Sequence, residues 1–208
     1  MGLRKSSTLK LLDEFIIEKF GGHKNVNMIE LGNIIIREIN TSAKKYFSKL
    51  GVNHTSIDCN GKDGALPLDL RTVIDDDRVK PADIVTNCGT TEHVKNQYMC
   101  FKNIHNFAKP NGFLFHLAPP LGKWRGHCSY YYTEEFFNQL ALQNNYEILE
   151  KKIIPNSRNH PKAQGSLGLL DFWFCVMQKK KDNEFIPERD WTPPVFLSEK
   201  EGGHKSGR

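Results

Sequence analysis

Apolar positions in this chain fall into two kinds of run. Short continuous runs, such as Ile84-Val85 and Phe113-Leu114-Phe115, suit strands buried on both faces of a parallel sheet. Longer stretches carry apolar residues near a 3.6 period, which suits amphipathic helices. The first covers residues 7–20, where Leu9, Leu12, Phe15, Ile16 and Phe20 share a face and Gly21-Gly22 supplies the stop. Strands are predicted at residues 26–31, 54–58, 65–70, 82–86 and 113–117. A helix is predicted over residues 41–50, with Thr41 as N-cap and Gly51 as stop, and another over 91–108, capped by Thr90 or Thr91. The three isoleucines at 34–36 prolong the strand signal past Gly32 and leave open a helix start or an extended loop. Thr133 caps a helix over 133–144, with Glu134 and Glu135 favourably placed in its first turn. Strands at 146–154 and 169–177 follow, and residues 155–168 between them have too little apolar periodicity for a crossover helix.

Repeated strand–helix alternation implies an α/β fold with a doubly wound, mostly parallel seven-stranded sheet and helices on both faces. With no helix before it, the last strand should turn back antiparallel beside its predecessor.

The 208 residues suffice for one such domain, expected over 1–178, followed by a flexible basic tail over 179–208. Net charge is +5, and several of the positive charges lie in Lys179-Lys180-Lys181 and that tail, which reads first as solvated. A nucleic-acid contact has only this weak support. The five cysteines, at 59, 88, 100, 128 and 175, form no C-x-x-C pair, so neither a zinc site nor a disulfide framework is expected, and no metal is assigned. No apolar run reaches the roughly 20 residues of a membrane helix, and a soluble, cytoplasmic protein is expected.

The chemistry is concentrated at predicted strand ends. Glu30-Leu31-Gly32-Asn33 closes the first strand, and Ile57-Asp58 closes the second, one helix later. A carboxylate at the second strand's end can accept hydrogen bonds from both ribose hydroxyls. Gly32 stands where a dinucleotide fingerprint needs three glycines, which points to a cofactor with a ribose and no pyrophosphate. Asp58 also suits a cap over Asn60-Gly61, and Glu30 a buried acid bonded to nearby amides. Histidine titrates near neutral pH, so His93 and His127 are the candidate bases, with His116 read as a core residue.

Several segments resemble the class I S-adenosylmethionine-dependent methyltransferases over about residues 25–178. Met28-Ile29-Glu30-Leu31-Gly32 is similar to the family's first-strand motif, Ser56-Ile57-Asp58 to its second, and Leu66-Pro67-Leu68-Asp69-Leu70 to its adenine-contacting segment. Residues 82–94 are similar to its fourth strand and helix start, Lys109-Pro110-Asn111-Gly112 to the turn before its fifth strand, and Gly126-His127 to its approach to the next helix. The resemblance implies S-adenosylmethionine as cofactor, held by Glu30, Gly32, Asn33, Asp58, Cys59, Asp69 and Leu70, with Asn87-Cys88-Gly89 beside the transferable methyl. It implies methyl transfer to a small-molecule or unidentified acceptor, with His127 and His93 as bases. Trp124, Arg125 and Tyr131 are assigned to the acceptor pocket, on a loop that should rise beside residues 155–168. The family usually carries several glycines in its first turn, where this chain has Gly32-Asn33-Ile34. A catalytically silent binding protein of the same fold and an RNA methyltransferase are the alternatives.

Overall fold

A computed structural model describes residues 8–124, 127–155 and 171–197. Helix α1 (Thr8–Phe20) comes first, then strand β1 (Asn27–Leu31), a small hairpin of β2 (Ile35–Ile36) and β3 (Thr41–Ser42), and helix α2 (Ala43–Lys49). Strands β4 (Asn53–Ile57) and β5 (Ala82–Cys88) follow, then helix α3 (Gln97–Phe107) and strands β6 (Ala108–Ala118) and β7 (Tyr130–Tyr131). Helix α4 (Glu134–Asn144), the long strands β8 (Tyr146–Ile154) and β9 (Phe172–Lys179), and a short β10 (Val195–Phe196) complete the described chain.

Six strands form the central sheet in the order β4-β1-β5-β6-β9-β8. The first four are mutually parallel, and β9 runs antiparallel to both β6 and β8. The expected antiparallel last strand is β9, and it lies between β6 and β8. Leu9, Leu12 and Ile16 of α1 join Ala43 and Phe47 of α2 in the core on one face. Phe101, Ile104 and Phe107 of α3 join Phe136, Phe137 and Leu140 of α4 in the core on the other. Among the described residues no helix is long and apolar enough to cross a membrane.

Four expectations change. The strand at 65–70 shrinks to one parallel bridge, Leu66 to Ile57, and the sheet has six strands among the described residues. The Leu68 N–H, the next ladder donor, turns back to the Leu66 carbonyl at 2.9 Å instead. The isoleucines at 34–36 enter β2, which pairs with β3 and delays α2 until Ser42, whose hydroxyl accepts from the Lys45 N–H. The expected helix at 91–108 splits into a 3-10 turn, Thr91–His93, and α3, capped by Asn96 instead of Thr90 or Thr91. The Gln97 side chain donates to the carbonyls of Thr91 and Val94 (2.6 Å each), taking acceptors that a continuous helix would use. Finally, Lys179 is the buried end of β9, its ammonium on the carbonyls of His105 and Ala108 where α3 ends. Beyond it, residues 180–197 pack on the domain: Phe185 is buried and β10 pairs with β7. Residues 155–168, expected to carry an acceptor loop, lie outside the described residues except Pro155, as do Arg125 and Gly126.

Candidate cofactor and acceptor site

Because β4, β1 and β5 are adjacent and parallel, their C-terminal ends share one edge of the sheet. That edge is where open α/β sheets bind ligands. It brings together Glu30, Gly32, Asn33, Asp58, Asn87, Cys88 and Gly89.

The first turn is tight. Gly32 has φ +83° and donates its N–H to the Ile57 carbonyl at 2.7 Å. A Cβ there would lie 2.5 Å from the Thr90 Oγ1, which itself donates to the Leu31 carbonyl at 2.7 Å. Glycine is thus demanded by Thr90 closing over the turn. Asp58 ties this turn to the second strand end: its Oδ2 accepts from the Asn33 N–H and its Oδ1 from the Asn60 N–H, both at 2.9 Å. Each oxygen keeps acceptor capacity for a further donor. The Asn33 Oδ1 is shielded from solvent without a hydrogen-bond partner among the described residues.

Glu30 is buried, with Oε1 on the Ile34 N–H at 3.3 Å and Oε2 3.8 Å from the His54 Nε2. Burial raises its pKa well above the ordinary carboxylate range and drives His54 down to about 3. Glu30 therefore occupies the buried-acid role, bracing the turn from below. Cys59 is exposed, its thiol pushed up by partial burial and by Asp58. Asp69 is engaged by the Arg71 guanidinium (2.6 Å to Oδ2) and N–H, which hold its carboxyl below the usual value, and Leu70 is buried in the core beside it.

At the end of β5, the Asn87 Oδ1 accepts from the N–H groups of Thr90 and Thr91, and its Nδ2 donates to the Thr91 Oγ1 at 2.8 Å. Tyr132 donates to the same hydroxyl at 2.7 Å. Asn87 and Cys88 are buried strand residues, and Gly89 makes the following bend at φ +86°. The turn so held carries Glu92 and His93. The His93 and His127 rings stand 5.1 Å apart, centroid to centroid, with Glu92 fully buried beside them and pushed up to about 7 by desolvation. Glu92 carries no assigned role in the sequence; its signal is an acid next to a histidine just past a strand end.

Trp124 and Tyr131 occupy the packing of their loop. Trp124 is 6% exposed, packs with its ring centroid 4.9 Å from that of Phe172 and donates its indole N–H to the Asp171 carbonyl. Tyr131 is buried and donates to the Trp124 carbonyl at 3.0 Å. Both hold the loop that carries His127 and neither presents an open wall. His116 is a core residue, as expected, stacked on Phe101. A separate cavity of about 310 Å³ lies at the opposite, N-terminal ends of the strands, lined by Asn27, Asn53, Arg78 and Ala82 among others.

No family model matches the sequence, and no curated protein matches it. The fold is similar to 1,6-didemethyltoxoflavin-N1-methyltransferase of Burkholderia thailandensis, solved with 1,6-didemethyltoxoflavin and S-adenosylhomocysteine (TM-score 0.59, 13% identity, 85% of this chain and 80% of that one). It is similar to the [4+2]-cyclase SpnF (0.57, 11%, 89% and 84%). It is also similar to the N-methyltransferase NodS of Bradyrhizobium japonicum WM9, solved with S-adenosylhomocysteine (0.53, 12%, 83% and 85%). The chain has the class I methyltransferase fold.

Proposed function

We propose that this protein binds S-adenosylmethionine across the ends of β4, β1 and β5 and methylates a small-molecule acceptor. The observation that carries this reading is the convergence of Asp58, the Gly32-Asn33 turn and Asn87–Gly89 on one sheet edge, in a fold with the last strand inserted antiparallel. The donor set fits the cofactor. Asp58 has acceptor capacity for two ribose hydroxyls, and the shielded Asn33 Oδ1 awaits a donor. Asp69 is the weakest member, since an adenine amino group would have to share it with Arg71; that pair is exposed, so the exchange costs little. The cofactor, when bound, supplies an electrophilic methyl on a sulfonium.

The chain's own residues orient and desolvate. Thr90, Asn87 and Tyr132 fix the turn after β5, and Trp124 and Tyr131 fix the loop that faces it. A neutral imidazole of His93 or His127 can take a proton from an acceptor hydroxyl or amine. Positioning of this kind is worth on the order of 7–11 kcal/mol of barrier.

A silent binding protein is the second reading, favoured by Thr90 closing over the first turn. Calorimetry with S-adenosylhomocysteine and a methyl-transfer assay separate the two. Asp58→Ala should weaken cofactor binding by about 10- to 100-fold, from a charge-assisted hydrogen bond of roughly 1.5–3 kcal/mol. Unchanged affinity in a folded variant removes Asp58 from the site.

A further inference from the structure

Glu92, His93 and His127 each offer one ligand atom, and the three atoms lie within 4.8 Å of one another. We infer that this trio is a divalent-cation site at the acceptor end of the molecule.

Four observations support it. Glu92 has zero exposure, yet neither carboxylate oxygen has a hydrogen-bond partner among the described residues. A buried carboxylate short of donors is costly, and a bound cation would offset that cost. Second, two imidazoles and one carboxylate are a donor set for first-row transition cations such as Zn²⁺, Co²⁺ or Mn²⁺. Third, the backbone carrying the donors is fixed. Asn87 holds the N–H groups of Thr90 and Thr91, Gln97 holds the Thr91 carbonyl, and the Ser129 N–H reaches the Glu92 carbonyl at 3.3 Å. On the other side, the His127 N–H is held by the Trp124 carbonyl at 3.0 Å and its ring lies 5.1 Å from the Trp124 ring. Fourth, the distances are within reach of closure. Ligand atoms about 2.0–2.2 Å from a shared ion stand about 3.4 Å apart in a tetrahedron. Glu92 and His93 are already at 3.9 Å, so side-chain rotations of about 1 Å complete the set.

Three protein ligands leave coordination positions open. They would take an oxygen of the acceptor, which selects hydroxylated or oxyanionic small molecules. A hydroxyl on the ion loses its proton to solvent more readily. Its oxygen pair then forms the new C–O bond to the methyl while the C–S pair returns to sulfur. In this arrangement the histidines are ligands and not bases. The role in transfer rests on the methyltransferase reading; metal binding itself does not. Cysteine spacing, the ground for expecting no metal, is silent on a set with no cysteine in it.

The test uses the full chain, stripped with a chelator and titrated with Co²⁺ while visible absorption is followed. One Co²⁺ per chain should bind, and Glu92→Gln and His127→Ala, checked for folding by circular dichroism, should each weaken it by about 10- to 100-fold or more. Cys59→Ser, which removes the exposed thiol, should leave it unchanged. In the unmutated chain, substoichiometric Mn²⁺ should broaden the imidazole signals of His93 and His127 before those of His105 and His116. Absence of a Co²⁺ band, binding indifferent to both variants, binding lost only in Cys59→Ser, or broadening centred elsewhere would overturn the site. S-adenosylhomocysteine calorimetry on the stripped sample is independent: cofactor binding without Co²⁺ binding ends the metal proposal alone, and the reverse ends the methyltransferase reading alone.

Discussion

Gly32 and Asp58 show how much one position can decide. Asp58 accepts an amide from each of two turns, so it organises the site before any ligand arrives. The glycine beside it is fixed by two independent constraints, a positive φ and the 2.5 Å approach of Thr90 to where a Cβ would sit. Left-handed backbone costs an L-residue about 1–2 kcal/mol, and the collision adds to it. Gly32→Ala should therefore lose about 2–3 kcal/mol of stability, read from denaturant unfolding, and a loss under 1 kcal/mol would mean that the turn relaxes freely. Both residues were legible as strand-end chemistry. Why Gly32 is needed was not, because Thr90 is 58 positions away in sequence and meets it only through the pairing of β1 with β5. Glu92 escaped for a related reason: its burial, which makes it unusual, depends on residues distant in sequence such as Ser129, whose N–H meets the Glu92 carbonyl.

At the scale of elements, strongly periodic segments were readable and those governed by side-chain competition were not. Residues 8–20 and 134–144 form as the pattern dictates, because their apolar stripes, and the Thr133 cap, agree with the packing. The segment at 91–96 departs because the Gln97 side chain takes the carbonyls of Thr91 and Val94 that a continuous helix would have used. The segment after Lys179 reads as polar and Pro-rich, yet Phe185 and Trp191 are spaced to dock between α3 and α4. Phe185 lies 5.6 Å from His105 and 5.4 Å from Trp191, ring to ring, and Trp191 lies 5.6 Å from Phe101. This strap is part of the core. Phe185→Ala should destabilise the protein by about 3–5 kcal/mol, the usual cost of emptying a buried aromatic site. A change below 1 kcal/mol in thermal or denaturant unfolding would show the strap to be superficial.

For the whole molecule, buried ionisable groups set the response to acid. Burial holds His105 and His116 down to about 4 and His54 to about 3, whereas an unfolded imidazole titrates near 6.5. Their contribution is full above about 6.5 and is lost as pH falls, because the unfolded chain takes up protons that the folded chain refuses. Glu30 and Glu92 oppose this: burial raises them, so the folded chain binds protons first until the unfolded carboxylates titrate near 4.3. Below that point the opposition ends, and the lowered Asp69, Asp76 and Asp83 add to the loss. Stability should therefore decline gently from pH 6.5 to about 4.5 and steeply below; a flat profile down to pH 3.5 would contradict the burial of these groups. The central claim is narrower: one sheet edge, at the C-terminal ends of β4, β1 and β5, holds the cofactor. Amide chemical-shift mapping with S-adenosylhomocysteine tests it directly. Saturable shifts clustered on Gly32, Asn33, Asp58 and Asn87–Gly89 are the predicted result. No shifts in a folded sample, or shifts centred on Asn27, Asn53 and Ala82 at the opposite end of the same strands, would contradict it.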